Sequence, residues 1–325
     1  MKQSGYFKTV IFVIVTIFLI AILMSQITLE DIADTLRGMD GRYILIAFLV
    51  YICGCIFKSL RIALILKSKI SLGSAFTIIC IHNLFNSILP ARTGELSYIH
   101  LVKKRHNISL GEGMASLTLA RVLDFCAVFF FFFLSAVFVK EAPRAMLLAV
   151  IIVMSLSVIM LVLLIVLVCF RERVPNLIEA FTRTMRVEKS NASMFITRKL
   201  KEVLEGLTLM NSGKRIFLGF LSSILIWGST YLVSWVLFVK GMGLNLTFFE
   251  LVMASTFVTL TTILPIQGLA GYGTSEGAWV LSVMPFGITK TEAISSGFSG
   301  HTIAVVFFVL LGVAGFILSK WKRKI

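Results

Sequence analysis

The chain has 325 residues, of which 58% are hydrophobic and only 14% carry a charge. This composition is too apolar for a soluble globular protein, and it predicts an integral membrane protein. A net charge of +15 would suggest a nucleic-acid partner in a soluble chain. Here the basic residues flank apolar segments, as the positive-inside rule describes, so we expect no nucleic-acid partner.

Six apolar segments are long enough to cross a membrane as helices, because the hydrocarbon core is roughly 30 Å thick. In chain order they lie near residues 6–25, 43–66, 113–139, 145–169, 216–239 and 293–319. The first is longer than the apolar part of a secretory signal peptide, so we expect it to remain as an anchor. The sequence therefore predicts an all-α, polytopic membrane protein with about six full transmembrane helices.

Two further apolar segments, 74–89 and 248–264, are shorter. Residues 74–89 would form a helix of about 24 Å, which is less than the thickness of the hydrocarbon core. We interpret both segments as re-entrant helices that enter the membrane and return on the same side. Most lysine and arginine residues, and a basic connector at 171–215, then share one side with both termini. The positive-inside rule predicts that this side is the cytoplasm, in a multi-pass protein of the cell membrane.

Both short segments end in the triplet ILP. Residues 81–90 read IHNLFNSILP, and residues 256–265 read TFVTLTTILP. A second match follows in each half, where 107–121 aligns with 287–301 and brings Arg121 opposite His301. The alternative is that two such triplets match by chance in a leucine-rich chain.

Each aligned segment also carries a signal for the start of a helix. Ser109 precedes Glu112 by three residues, and Thr289 precedes Glu292 by three. This spacing is typical of a capping box, in which each side chain bonds the backbone N–H of the other residue. Both segments are therefore predicted to begin a membrane span.

In the predicted topology the two short segments enter from opposite sides of the membrane. Within a single transmembrane domain, residues 43–139 and 216–319 would then form the halves of an inverted repeat. A helix that ends inside the membrane leaves backbone groups unpaired, which is tolerated only beside protein or a water-filled cavity. Interruptions at matching positions in two halves are typical of the binding site of a transporter.

Four motifs occur in order along the chain. They are KSLRIALIL at the end of the second span, N-x-x-x-P-A-R-x-G-E after the first short segment, L-A-R-x-x-D in the third span, and LPIQGLAGYGTSEG after the second short segment. Together they resemble the lysylphosphatidylglycerol synthase transmembrane-region family, which includes the flippase half of the bacterial multiple peptide resistance factor. The last motif departs from the family's more usual proline-glycine-glycine form. The resemblance implies lipid translocation, and without an aminoacyl-transfer domain we do not expect synthase activity.

Charged side chains inside spans are costly and need partners or a cavity. Arg121 and Asp124 are three residues apart on one helix face, so we expect them to neutralise each other. The pair could hold helices together, or Arg121 could bind a lipid phosphate when Asp124 releases it. Lys58 and Arg61 lie toward the cytoplasmic end of their span. Snorkelling to the interface is the simpler explanation for them, and recruitment of an anionic headgroup is the alternative.

The predicted site binds a lipid headgroup and combines these charged residues with polar residues near the two interruptions. Its members are Arg61, Asn83, Asn86, Arg92, Glu95, Arg121, Asp124, Gln267, Glu276 and His301. The predicted function is a flippase-like transporter that moves an anionic phospholipid or a polyprenyl-phosphate-type lipid between leaflets. The alternatives are a secondary transporter of a small organic anion and an intramembrane lipid-modifying enzyme.

The sequence offers little for enzymatic chemistry. It contains neither HExxH nor GxSxG, and its four histidines lack the spacing of metal ligands. We therefore expect no catalytic residues, no metal and no cofactor. The expected partners are membrane lipids with an anionic headgroup. A homo-oligomer, or a separate enzyme that modifies the transported lipid, is compatible with this reading.

Overall fold

A computed structural model describes residues 20–67, 69–89, 94–139, 212–261 and 271–321, with a few isolated positions elsewhere. Regular elements in these ranges are all helical, which confirms the all-α prediction. In chain order the helices are α1 (Leu29–Arg37), α2 (Gly41–Ile65), α3 (Leu72–Ile88), α4 (Glu95–His106), α5 (Leu110–Phe138), α6 (Gly213–Ser234), α7 (Phe248–Thr261), α8 (Thr274–Val283) and α9 (Lys290–Trp321).

Four of the described helices are long and apolar enough to cross a membrane, as a polytopic protein requires. They are α2, α5, α9 and α6 together with its continuation, a π-helix at Trp235–Gly241. Each overlaps a predicted span. The predicted spans 6–25 and 145–169, and the connector 171–215, lie largely outside the described residues, as do Arg92 and Gln267.

The starts of α5 and α9 follow from side chains that cap free backbone N–H groups. The predicted capping box of Ser109 and Glu112 is present at the start of α5. The one of Thr289 and Glu292 is present before α9, where the Glu292 carboxylate accepts the Thr289 N–H at 3.0 Å. Both helices therefore begin where the sequence signals them.

The two short helices have 17 residues in α3 and 14 in α7, so both are too short to span the hydrocarbon core. Their positions agree with the predicted segments 74–89 and 248–264. Residues 90–93 and 262–270, which follow them, lie outside the described ranges, so the re-entrant path stays a prediction. The helices α4 and α8, which come next in each half, were not predicted from the sequence.

The halves are packed across each other. The short helix α3 packs against α9, and the short helix α7 packs against α5, while α2 runs along α6. Small residues allow the first of these contacts to be close. A Cβ atom on Gly315 would lie 2.9 Å from the Cβ of Cys80 and 3.3 Å from the backbone oxygen of Thr77, so only glycine fits without a shift of α3.

Candidate functional site

A cavity of about 220 Å³, here the first cavity, lies between α2, α3, α5 and α6. Five of the ten predicted site residues line it: Arg61, Asn83, Asn86, Arg121 and Asp124. The polar lining also includes residues outside the predicted set, namely Lys58, His82, Tyr98, Ser116, Trp227 and Thr230. Of these, Trp227 and Thr230 on α6 were not predicted from the sequence. A polar series at helical spacing, Ser223, Trp227 and Thr230, could have identified this face of an otherwise apolar span.

Asp124 pairs with Arg61 rather than with Arg121. The two guanidinium nitrogens of Arg61 lie 2.5 and 3.0 Å from the two carboxylate oxygens. The same carboxylate accepts the indole N–H of Trp227 at 3.1 Å, and Arg61 also donates to the hydroxyl of Ser223 at 2.7 Å. The network joins α2, α5 and α6, and a two-point Arg–carboxylate pair is among the strongest charge-assisted contacts.

Two predictions about these residues are therefore wrong. Arg121 and Asp124 do not neutralise each other, because partners on neighbouring helices reach each of them across the cavity. Arg61 does not snorkel to the interface, since its side chain is only 6% exposed and its charge is matched inside the protein.

Arg121 contacts Glu95, whose carboxylate lies 2.8 Å from a guanidinium nitrogen. About a third of the Arg121 side chain is exposed, much more than of Arg61. Glu95 is held in place by a close turn, because a Cβ atom on Gly94 would lie 2.4 Å from the backbone of Asn86. This ion pair is therefore positioned at the more accessible part of the cavity.

Positive charge exceeds negative charge in the first cavity. Lys58, Arg61 and Arg121 line it, and Asp124 is the one acidic residue among the lining residues that the structure describes. Even with Glu95 counted against Arg121, one positive charge remains. Lys58 supplies it, since its ammonium group forms no ion pair with any described residue.

Some polar atoms around the first cavity have no hydrogen-bond partner within the described part of the chain. They are Nε of Arg61, Nε of Arg121 and Oδ1 of Asn86. Buried polar atoms are rarely left unpaired in native proteins. Two unpaired N–H donors and a free ammonium group suit an anionic oxygen ligand.

A second cavity of about 230 Å³ lies between α6, α7, α8 and α9. It contains the two remaining described members of the predicted set, Glu276 and His301, whose carboxylate oxygen and Nδ1 lie 2.5 Å apart. Tyr272 stacks on the imidazole with ring centroids 4.2 Å apart. The positions aligned in the sequence, Arg121 and His301, thus each pair with a glutamate in the helix after the interruption.

The sequence matches a known protein family over most of its length. A family model described as the lysylphosphatidylglycerol synthase transmembrane region matches residues 9–312. The chain belongs to this family. The resemblance found in the sequence motifs is thereby confirmed, and both cavities lie inside the region that characterises lysylphosphatidylglycerol synthase transmembrane-region proteins. The chain is also 23% identical to a UPF0104 membrane protein of Pyrococcus horikoshii, over 97% of this chain and 98% of the relative.

Proposed function

We propose that this protein moves an anionic lipid between the leaflets of the cell membrane, and that the lipid phosphate binds in the first cavity. The observation that carries the proposal is the excess of positive charge there, from Lys58, Arg61 and Arg121 around one lining carboxylate. Cationic groups inside a membrane are costly, and they mark ion and substrate pathways. An anionic phospholipid or a polyprenyl-phosphate-type lipid supplies the missing negative charge.

The three cations have different parts in this proposal. Arg61 is fixed by Asp124 and shapes the wall, while Arg121 and Lys58 are the groups that contact the phosphate. Arg121 releases Glu95 and binds the phosphate instead. Its planar guanidinium can donate hydrogen bonds to two phosphate oxygens at once. The first cavity is smaller than a typical pocket for a drug-sized ligand, so the acyl or prenyl chains stay in the hydrocarbon.

The movement between leaflets relies on the inverted repeat. Packing of each short helix against the last long helix of the other half supports this architecture, in which one half rocks against the other.

In the proposed inverted repeat, both termini and the 171–215 connector lie in the cytoplasm. A cysteine introduced at residue 190 is expected to resist a membrane-impermeant thiol reagent in intact cells and to react after the cells are opened. Labelling in intact cells would contradict the topology.

Reconstitution into liposomes tests the function directly. The purified protein is expected to move NBD-labelled phosphatidylglycerol or an NBD-labelled polyprenyl phosphate, and to leave zwitterionic NBD-phosphatidylcholine in place, because only the first two carry a net negative charge. Dithionite, which bleaches the outer leaflet, gives the fraction moved. Uptake of a soluble organic phosphate without movement of any lipid would instead support a small-anion transporter.

A further inference from the structure

The second cavity carries a different charge from the first. Its ionisable lining consists of Glu276, His301 and Tyr231 among the described residues, whereas Lys58, Arg61 and Arg121 line the first cavity. The second cavity therefore has a net charge of −1 when the imidazole is neutral and 0 when it is protonated. It does not suit a lipid phosphate in either state.

Glu276 is buried and held at the start of α8. It is only 1% exposed, and one of its oxygens accepts the backbone N–H of Gly273 at 2.7 Å. It lies in the first turn of α8, where the helix dipole favours a negative charge. The second oxygen faces Nδ1 of His301. A protonated imidazole would form an ion pair with this carboxylate.

The matching ion pair in the first half has a different cationic group. Arg121 pairs with Glu95 as His301 pairs with Glu276, but a guanidinium never releases its proton in a protein. An imidazole changes its charge between roughly pH 5 and 8. One half thus has a permanent ion pair, and the other has an ion pair that exists only when a proton is bound.

We propose that the Glu276–His301 pair is the binding site of a coupling proton, whose movement down its gradient drives lipid movement through the first cavity. The proton adds to Nε2 of His301, which has no hydrogen-bond partner among the described residues, when the second cavity is open to one side of the membrane, and it leaves when the cavity is open to the other. This inference rests on the proposed lipid transport, and it names the proton gradient as the energy source of that transport.

Among the described residues, Glu276 and His301 are the charged or imidazole side chains that line the second cavity. From α6, Tyr231 faces the cavity, with its hydroxyl 3.1 Å from that of Thr256. From α7 and α8 come the hydroxyls of Ser255, Thr259 and Ser275, and Tyr272 covers the ring. Of the other helices packed on α9, α2 and α3 direct Lys58, Arg61 and His82 into the first cavity. The charged residues of α1 do not line the second cavity: Glu30, Asp31, Asp34 and Arg37.

The helix α6 connects the two sites physically. Thr230 lines both cavities. One turn of helix links Trp227, which bonds to Asp124 in the first cavity, to Tyr231 in the second, and their rings are 5.8 Å apart. The two cavities therefore share the face of α6 that carries Thr230.

A π-helix, Trp235–Gly241, continues α6 beside the second cavity. Phe238 in this segment stacks on Trp279 of the second cavity at 4.2 Å. π-Helical turns inside α-helices are rare, and they occur frequently at functional sites. By thermodynamic linkage, proton binding changes the affinity for the lipid by the same factor as lipid binding changes the affinity for the proton.

The test measures how far lipid accumulates in one leaflet. Proteoliposomes containing NBD-phosphatidylglycerol receive a gradient of one pH unit, with valinomycin and equal potassium on both sides to hold the membrane potential at zero. One proton per lipid gives a leaflet ratio of about tenfold at steady state, because a tenfold ratio corresponds to 1.4 kcal/mol. Reversing the gradient reverses the ratio.

Three variants of the pair separate coupling from transport. His301→Gln and Glu276→Gln remove the proton site, and His301→Arg makes the ion pair permanent as in the first half. Each is expected to move lipid without accumulation, at a leaflet ratio of about 1, because no proton gradient contributes free energy. His100→Gln is the matched control, since His100 is exposed on α4 away from the second cavity, and it keeps the wild-type ratio.

Protonation is also measured without lipid transport, by NMR titration of histidine-labelled protein in nanodiscs. The signal missing from His301→Gln identifies His301, and we expect its chemical shift to respond to pH and to do so differently in Glu276→Gln. Lipid movement by wild-type protein that ignores the pH gradient would overturn the inference while leaving the proposed function intact. If no lipid moves at all, the proposed function fails, and a His301 signal that does not titrate would then also remove the proton site.

Discussion

Replacement of Arg121 by alanine is expected to slow lipid movement roughly tenfold to a hundredfold, because a hydrogen bond to a charged group contributes about 1.5–3 kcal/mol. The protein should remain folded. Arg121 is about one-third exposed, and its partner Glu95 is 28% exposed, so water can solvate the carboxylate that the change leaves behind. Arg121→Lys keeps the charge without the planar fork and should recover only part of the rate.

The measurement pairs dithionite assays of lipid movement with thermal unfolding of the same preparations. Arg42→Ala is the matched control, since Arg42 also pairs with a carboxylate, that of Asp40, but lies 86% exposed outside both cavities. It should transport lipid at the wild-type rate. A folded Arg121→Ala protein with full transport would remove Arg121 from the mechanism.

Asp124→Ala is expected to destabilise the protein by roughly 3–5 kcal/mol, because it leaves the buried charge of Arg61 without its partner. The Arg61 side chain is only 6% exposed, and its other described bonding partner is the hydroxyl of Ser223. The change also leaves the indole N–H of Trp227 unpaired. Thermal unfolding and the monodisperse fraction in size-exclusion chromatography report the loss.

Two further variants separate an ion-pair effect from a general effect of mutation. Asp34→Ala removes a surface ion pair with Arg37, in which both side chains are largely exposed, and should leave the unfolding temperature unchanged. The double variant Arg61→Met with Asp124→Leu should be less damaging than either single change, because no unpaired charge remains. An unfolding temperature of Asp124→Ala equal to wild type would show that this network does not support the fold.

Much of the fold was determined by patterns that the sequence displays directly. Long apolar runs require helices in a membrane, since no other local structure satisfies their backbone groups, and four of these helices are found where they were predicted. The length of the apolar runs also identified the short helices α3 and α7. The capping residues Ser109 and Thr289 fixed the starts of two long helices because capping depends on neighbours in the chain.

The membership of the first cavity was predictable for a similar reason. Polar and charged residues are rare inside spans, so Asn83, Asn86 and Arg121 were conspicuous against their apolar surroundings. The alignment of Arg121 with His301 was also visible in the sequence. It identified two positions that each pair with a glutamate in the structure.

The partners of these charges were decided only by the tertiary structure. Spacing along one helix suggested that Arg121 would neutralise Asp124, but it contains no information on what the neighbouring helices present. Packing of α2 and α6 against α5 brings Arg61 and Trp227 to Asp124, while the turn at Gly94 brings Glu95 to Arg121. The sequence by itself therefore determined which residues carry charge inside the membrane, whereas the packing of helices distant in the chain determined which charges are matched and which remain available to a ligand.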